Sequence, residues 1–250
     1  MTLKHWALVG GAVACLTSTF TTAAPWLEPG DVRARFAVQK LADRGHLQRP
    51  VTSWPLMWGS ITNGLNEAEG EPGSVTGLAR NYLEFERAQQ AELNVQWQGQ
   101  NWAFGLSPAY AYNPDDDENV RFDGSYLATT AGNWVFGAGA IDRWWGPGWQ
   151  SSLILSNNAR PMPSVWLNRI DASAPESRWL SWVGPWQFTV FAGQYEKERK
   201  VPEAKLIGMR LNLRPLDGLE LGVSRAIMFG GEGYPEGLST IWNALIGKDN

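Results

Sequence analysis

Asp142-Arg143-Trp144-Trp145-Gly146-Pro147-Gly148-Trp149-Gln150-Ser151-Ser152-Leu153-Ile154-Leu155-Ser156-Asn157-Asn158-Ala159-Arg160-Pro161 is the stretch on which the fold turns. Three tryptophans flank a Gly-Pro-Gly bend, a short apolar strand follows, and Asn-Asn-Ala-Arg-Pro closes the run. Gly and Pro reverse the backbone there, so the rings gather at a corner rather than along a straight face. Generic strand composition does not produce such a run.

A second block lies near the start: Trp26-Leu27-Glu28-Pro29-Gly30-Asp31, then Leu41-Ala42-Asp43-Arg44-Gly45, then Thr52-Ser53-Trp54-Pro55-Leu56-Met57-Trp58. Weaker motifs, Ser224-Arg225 and Gly230-Gly231-Glu232-Gly233, stand near the other end. In this order the blocks resemble the Wzi family of capsule assembly proteins, over a span from Pro25 to Asn250. The resemblance implies a mainly β fold: an antiparallel transmembrane β-barrel of the outer membrane with a small N-terminal helical unit. It also implies a surface lectin that binds capsular polysaccharide and helps capsule assembly or attachment, without a catalytic step. Members of that family are longer chains, so the resemblance implies an N-terminal or truncated portion whose barrel is incomplete.

Bulk properties agree with export. Lys4 and His5 precede an apolar core from Trp6 to Leu16 and the small-residue exit Thr22-Ala23-Ala24, the pattern of a secretory signal over residues 1–24. Pro25 disfavours a cut directly before it, which favours cleavage after Ala23. Cys15 does not make a lipoprotein signal, because Ala12 stands where a larger aliphatic residue is needed. Without the signal the chain has no thiol and keeps only His46. That excludes a disulfide framework, a Cys nucleophile and a Cys/His zinc site, and leaves no material for a histidine triad. The net charge of −4 carries no basic stripe for nucleic acid.

Beyond the signal no apolar run is long enough for a membrane helix. A closed barrel is then the remaining way to span lipid, because each unpaired backbone amide there costs several kcal/mol. The 15 tryptophans, 6 tyrosines and 9 phenylalanines suit the two interfaces, where an apolar ring meets a wet edge.

Three regions follow: the signal over 1–24, a small helical periplasmic unit over 25–73, and the strands of a partial outer-membrane barrel over 74–250. In the helical unit, Asp31 caps a helix that ends at Gly45, with Val32, Phe36 and Leu41 on one apolar face, and Leu56 to Leu65 forms a second. So short a unit cannot bury a core alone, and packing against one end of a barrel would solve that. From Ser74 the period is two: Leu93, Val95 and Trp97, then Trp102, Phe104 and Leu106 after the Gly99-Gln100-Asn101 turn. Ile207, Met209, Leu211 and Leu213, and then Leu219, Leu221 and Val223, repeat the pattern around Pro215-Leu216-Asp217-Gly218. A soluble sandwich would give the same alternation; about eight to ten hairpin-linked strands favour the barrel. Leu238, Ile241, Trp242 and Leu245 have helical spacing.

The polysaccharide-binding candidates are Asp142, Arg143, Trp144, Trp145, Trp149, Asn157, Asn158 and Arg160. Flat rings suit the C–H faces of sugars, while amides and guanidinium groups suit hydroxyls and acidic substituents. The same rings could instead anchor a strand end at the membrane interface or serve as scaffold inside the barrel. Asp115-Asp116-Asp117-Glu118 lacks the spacing of a Ca²⁺ loop and is expected to be a solvated hairpin tip. Arg80, Glu84, Glu86 and Arg87 fall in one strand, where Arg80, Tyr82, Glu84 and Glu86 share a face; a lumen ladder of ion pairs is expected there, with Arg210, Arg214 and Arg225 as partners. Glu84 with Glu86, or Asp142 with Glu176, would be the only glycosidase-like carboxylate pairs to consider. No metal or cofactor is expected, and the partners expected are capsular polysaccharide and outer-membrane lipid. The alternative is a porin-like passive diffusion channel; a third reading is an outer-membrane hydrolase.

Overall fold

Strands whose side chains alternate between apolar and polar build a wall with two unlike faces, and the computed structural model shows that wall. Residues 24–67, 90–92, 95–112, 119–156, 159–197 and 200–248 are described. The first half runs β1 (Trp26–Leu27), helix α1 (Val32–Asp43), β2 (Ser53–Trp54), β3 (Leu56–Met57), helix α2 (Trp58–Glu67), β4 (Gln90–Glu92), β5 (Val95–Gln98) and β6 (Trp102–Leu106). Then come β7 (Ala109–Ala111), β8 (Val120–Arg121), β9 (Tyr126–Ala131), β10 (Trp134–Gly139), β11 (Trp144–Trp145) and β12 (Ser164–Arg169). A 3-10 turn (Ser181–Val183), β13 (Trp186–Gln194), β14 (Lys205–Leu216), β15 (Leu219–Phe229) and helix α3 (Leu238–Leu245) complete the order.

Eight strands form one antiparallel sheet in the order β15-β14-β13-β12-β10-β9-β6-β5. Strands β13, β14 and β15, at 9, 12 and 11 residues, are long enough to cross a hydrocarbon core. The two edges, β5 and β15, do not pair, so the barrel is not closed among the described residues. No described helix is long and apolar enough to cross a membrane.

The sheet is inverted relative to a water-soluble one. Its outward face carries Phe104, Leu106, Leu127, Phe136, Val165, Leu221 and Val223, all large, apolar and exposed. Its inward face buries Asn168, Gln187, Thr189, Arg210, Asn212 and Arg214. In water this arrangement would forfeit about 25 cal/mol for each Å² of apolar surface left uncovered; against lipid it does not. The alternation expected in β14 and β15 is therefore observed, with Ile207, Met209, Leu211 and Leu213 all outward.

On the inward face three glycines sit opposite three aromatic rings in the cross-strand register: Gly105 faces Tyr126, Gly137 faces Trp166, and Gly208 faces Phe191. A β-carbon at any of the three would collide with the opposing ring. The rings thus lie across the backbone of the neighbouring strand and present a flat shelf to the interior. That shelf is where the rest of the chain packs. Trp26 sits 4.6 Å from Tyr126 and 6.0 Å from Trp166, and Trp145 sits 5.6 Å from Phe191, each between ring centroids.

The helical unit over 24–67 does more than cover one end of the wall. Trp26 and Met57 join the buried cluster on the sheet, while Leu27, Val38, Leu47, Trp54 and Ile61 form a second cluster with Trp144. Helix α1 begins as expected, with the Asp31 carboxylate accepting the Ala34 amide at 2.8 Å. Its buried face differs from the expected one. Ala34, Val38 and Ala42 face inward, and Val32 and Phe36 are exposed. Small residues on the packed side let the helix approach Leu27 and Trp54 closely, which Val32 and Phe36 would prevent. Helix α2 spans Trp58–Glu67, slightly later than the expected Leu56 to Leu65, because Leu56 and Met57 pair with β1.

Polar side chains of the wall hold this unit in place. Glu220 accepts the Val51 and Thr52 amides at 2.9 and 3.1 Å and the Asn212 amide nitrogen at 2.6 Å. Arg214 donates to the carbonyls of Leu47, Arg49 and Ala42 at 2.8, 3.2 and 3.3 Å. Arg210 and Arg214 are thus lumen residues as expected, but Arg210 pairs with Ser224 and Thr52, and Arg214 with backbone carbonyls. Arg225 is not in the lumen: it stands opposite outward-facing Met209 and donates to the Ala244 carbonyl of α3. Residues Arg80, Glu84, Glu86, Arg87 and Asp115-Asp116-Asp117-Glu118 lie outside the described residues, as do residues 1–23.

Candidate functional site

Strands β10 and β12 pair directly, from Gly139 with Ser164 to Trp134 with Arg169. The segment 140–163 between them therefore leaves the wall and returns to it. It enters the interior, where Trp144 and Trp145 pair with Trp54 and Ser53 of β2. The Gly146 amide donates to the Thr52 carbonyl at 3.0 Å and the Leu153 amide to the Trp145 carbonyl at 3.0 Å, which fixes the bend on both sides. Gly146 has φ 138°, a value that L side chains rarely adopt, so the Gly-Pro-Gly corner depends on glycine there.

The rings of the run have separate fates. Trp145 is fully buried against Phe191, and Trp144 is buried with its indole nitrogen donating to the Gly148 carbonyl at 3.0 Å. Neither offers a free face to a sugar; both are scaffold inside the wall. Trp149 is 43% exposed. The Arg35 guanidinium carbon lies 4.7 Å from the Trp144 ring and 4.9 Å from the Trp149 ring, between the two, and its Nη2 donates to the Gly148 carbonyl at 2.6 Å. A cation over a ring contributes about 0.5–2 kcal/mol according to its desolvation. This clamp docks the tip of the loop on α1.

A shallow depression of about 10 Å³, room for about one water, lies beside the clamp, lined by Arg35, Gln39, Val51, Thr52, Trp54, Gly146, Pro147 and Trp149. It combines the aromatic face of Trp149 with the amide of Gln39, which suit the C–H face and a hydroxyl of a sugar ring, while the Thr52 hydroxyl is held by Glu220, Arg210 and Asn212. Arg35, Gln39 and Thr52 were not among the sequence candidates. A polar residue on the packed face of α1, facing an aromatic run ninety residues or more away, gives no local signal.

Arg143 is buried at the root of the loop. It donates to the Ile141 carbonyl at 3.2 Å and to Ser164 Oγ at 3.0 Å, and lies 4.4 Å from the Phe191 ring and 5.4 Å from the Trp166 ring. Burial pushes its pKa down to about 10, against the pull of Glu28 and Asp142, so it is charged at neutral pH. Glu28, also missed in sequence, accepts the Trp26 indole nitrogen at 2.5 Å. Burial pushes its pKa up to about 7, the Trp26 hydrogen bond opposes that, Asp142 adds to it and Arg143 lowers it. Asp142, half-buried, is the third charge of this group.

Arg160 grips Asp123 with two nitrogens, at 2.9 and 3.1 Å, and so ties the end of the 140–163 segment to the turn before β9. Asn157 and Asn158 lie outside the described residues. The eight sequence candidates thus divide into an interior group, Asp142 to Trp145, a residue of the depression, Trp149, and a loop tie, Arg160. Asp142 and Glu176 do not meet: Asp142 follows β10 at one end of the wall, whereas Glu176 belongs to the link after β12 at the other. The Glu84 and Glu86 pair lies outside the described residues.

Comparison with known proteins places this geometry. The family described as Capsule assembly protein Wzi matches residues 76–250. An uncharacterized 55.8 kDa protein in the cps region of Klebsiella pneumoniae is 32% identical over 241 residues, covering 84% of this chain and 48% of that protein. A solved structure of Wzi, an outer membrane protein involved in group 1 capsule assembly in Escherichia coli and a carbohydrate-binding β-barrel, superimposes with a TM-score of 0.77 at 30% identity. It is covered over 56% of its length by 88% of this chain. The chain spans about half the length of these relatives. A family match over most of the sequence, joined to an inverted antiparallel wall, makes this chain a β-barrel protein of the outer membrane and a member of the Wzi family of capsule assembly proteins.

Proposed function

We propose that the chain is a non-enzymatic lectin that holds capsular polysaccharide at the cell surface, and that Trp149 with Gln39 contacts the glycan. The observation that carries the reading is the depression at the docked Gly-Pro-Gly tip, where the one partly exposed ring of the tryptophan run stands beside a guanidinium. The similarity to a carbohydrate-binding β-barrel supports the chemical class of the ligand. Trp149, braced by Arg35 behind it, would stack on a sugar face, and Gln39 would bond a sugar hydroxyl. Weak contacts repeated along one polymer sum to firm retention.

Trp149→Ala tests the assignment. It is expected to release capsular polysaccharide into the medium while leaving the amount of folded protein in the outer membrane unchanged. Trp145→Ala, in contrast, should lower the folded protein itself. Normal retention with Trp149→Ala would remove that ring from the site.

The porin-like reading has less support, because the inward face is packed with the helical unit and segment 140–163 rather than with open water. Planar-bilayer conductance separates the two, with a filled barrel expected to conduct poorly and a diffusion channel steadily.

A further inference from the structure

The connections of the wall are unequal at its two ends. Residues 99–101, 132–133 and 217–218 make tight turns at one end, while 107–125, 140–163 and 195–204 make longer connections at the other. In outer-membrane barrels the short turns face the periplasm and the long loops the exterior, so the tight-turn end is periplasmic. One described connection departs from the rule. The link 170–185 between β12 and β13 is long, yet it lies at the tight-turn end.

This link is ordered and anchored on both sides of the wall: inside, Asp171 pairs with buried Arg49 at 3.3 Å. Arg169 stands on the outward face, opposite Trp134. It stacks at 4.0 Å over the ring of Trp186 and donates to the Trp186 and Ser173 carbonyls at 2.7 and 3.0 Å. The Trp186 amide returns to the Ala172 carbonyl at 3.0 Å. Internal bonds from Leu180 to Ser177, Val183 to Leu180 and Gly184 to Ser181, at 3.0, 3.0 and 3.1 Å, shape the middle of the link into a tight coil. Beside it, Trp134 packs at 6.3 Å against both Trp186 and Phe188. That is a cluster of rings at one level of the lipid-facing surface, as expected of an interfacial belt.

The coil leaves large apolar side chains uncovered: Trp179 is 87% exposed, Leu180 50% and Trp182 68%. Arg178, also exposed, precedes them. The link joins β12 to β13, and its coil also touches β14, the strand next to the edge β15. Arg169 and Trp186 bring the two ends of the link beside the outward-facing ring of Trp134.

We infer that Trp179, Leu180 and Trp182 form an interfacial hook lying in the headgroup region of the periplasmic phospholipid leaflet, with Arg178 against lipid phosphate. Tryptophan favours that depth because its ring is apolar and its N–H is polar, and arginine pairs with phosphate through two parallel hydrogen bonds. The hook fixes the height and rotation of the wall on its periplasmic side.

The sole cysteine of the sequence is Cys15, so a Cys15→Ser background accepts one reporter thiol. Leu180→Cys, and Thr62→Cys on exposed α2 as an aqueous reference, carry an environment-sensitive fluorophore. The protein is reconstituted in vesicles of phosphatidylethanolamine and phosphatidylglycerol containing nitroxide lipids labelled either near the headgroup or deep in the acyl chain. The expected result is severalfold stronger quenching at position 180 than at 62 by the shallow nitroxide, weaker quenching by the deep one, and severalfold protection of 180 from aqueous iodide. Equal iodide access at the two positions without lipid quenching would place the coil in water and overturn the hook. Protection from iodide without lipid quenching would mean that protein covers the coil, and strongest quenching by the deep nitroxide would put it in the hydrocarbon; either result also overturns it.

Discussion

The indole of Trp166 lies across Gly137, the residue directly opposite it on the neighbouring strand, and its other side receives Trp26 and the guanidinium of Arg143. One glycine thereby sets the height of the interior shelf on which the first residues of the described chain rest. Gly137→Ala should lift the ring into Trp26 and Arg143. Forcing an extra carbon into a packed site typically costs about 1–3 kcal/mol, whereas Ala138→Val, on the outward face, should stay within about 0.5 kcal/mol. The temperature at which the barrel loses its compact gel mobility distinguishes the two variants.

Glu220 is the acceptor that joins the wall to residues 51 and 52. Its removal leaves two backbone amides and the Asn212 side chain without their charged partner, at a cost on the order of 3 kcal/mol. Glu220→Ala is therefore expected to speed hydrogen exchange at Val51 and Thr52 and to open residues 24–67 to protease. Unchanged exchange at both amides would show that the pairing of β2 with β11 suffices alone.

Arg35 holds the loop tip by one carbonyl hydrogen bond and two ring contacts. Methionine keeps much of the stem and loses the charge. Arg35→Met should cost about 1.5–3 kcal/mol for the lost charged hydrogen bond and raise exchange at Gly148 and Trp149, with wild-type protection at Trp145. Equal protection at all three positions would sink the clamp.

Glu28 gives a pH dependence with a definite sign. Its pKa in the folded state, about 7, lies above its ordinary value of 4.5. The folded chain therefore binds more protons than the unfolded one between those limits, and stability falls as pH rises from about 4.5 to about 7, then levels off. Glu28→Gln keeps an acceptor for the Trp26 indole and has no proton to lose, so its stability should be flatter across that window. Urea midpoints measured from pH 4 to 8 on both proteins provide the comparison; parallel curves would contradict the assignment.

The wall was legible in the sequence because lipid on one side and a polar interior on the other impose a strict period of two. Ile207, Met209, Leu211 and Leu213 could be assigned to one face by counting. Family membership was legible from the two tryptophan-bearing blocks, and the family match over residues 76–250 takes in the second of them. Position in depth was not legible. Trp144 and Trp145 read equally well as interfacial or interior rings, since their burial depends on Ser53 and Trp54, far away in sequence. The face of α1 was misread for a related reason: Val32 and Phe36 are larger than Ala34 and Ala42, but closeness of approach rather than side-chain size decided which side packs. Arg35 and Glu28 belong to the same class, being polar residues whose partners come from the 140–163 segment or the wall.

The pairing of Ser53 and Trp54 with Trp144 and Trp145 dictates an order of assembly. The portion of the chain that precedes the strands ends up at the centre, and it includes two helices, each roughly 10–12 Å across with its side chains. A finished cylinder could not be threaded afterwards by so bulky a piece. The strands must instead curl round a centre already in hand, as sheet metal is rolled on a mandrel, and an early error in residues 24–67 would be inherited by every strand that follows.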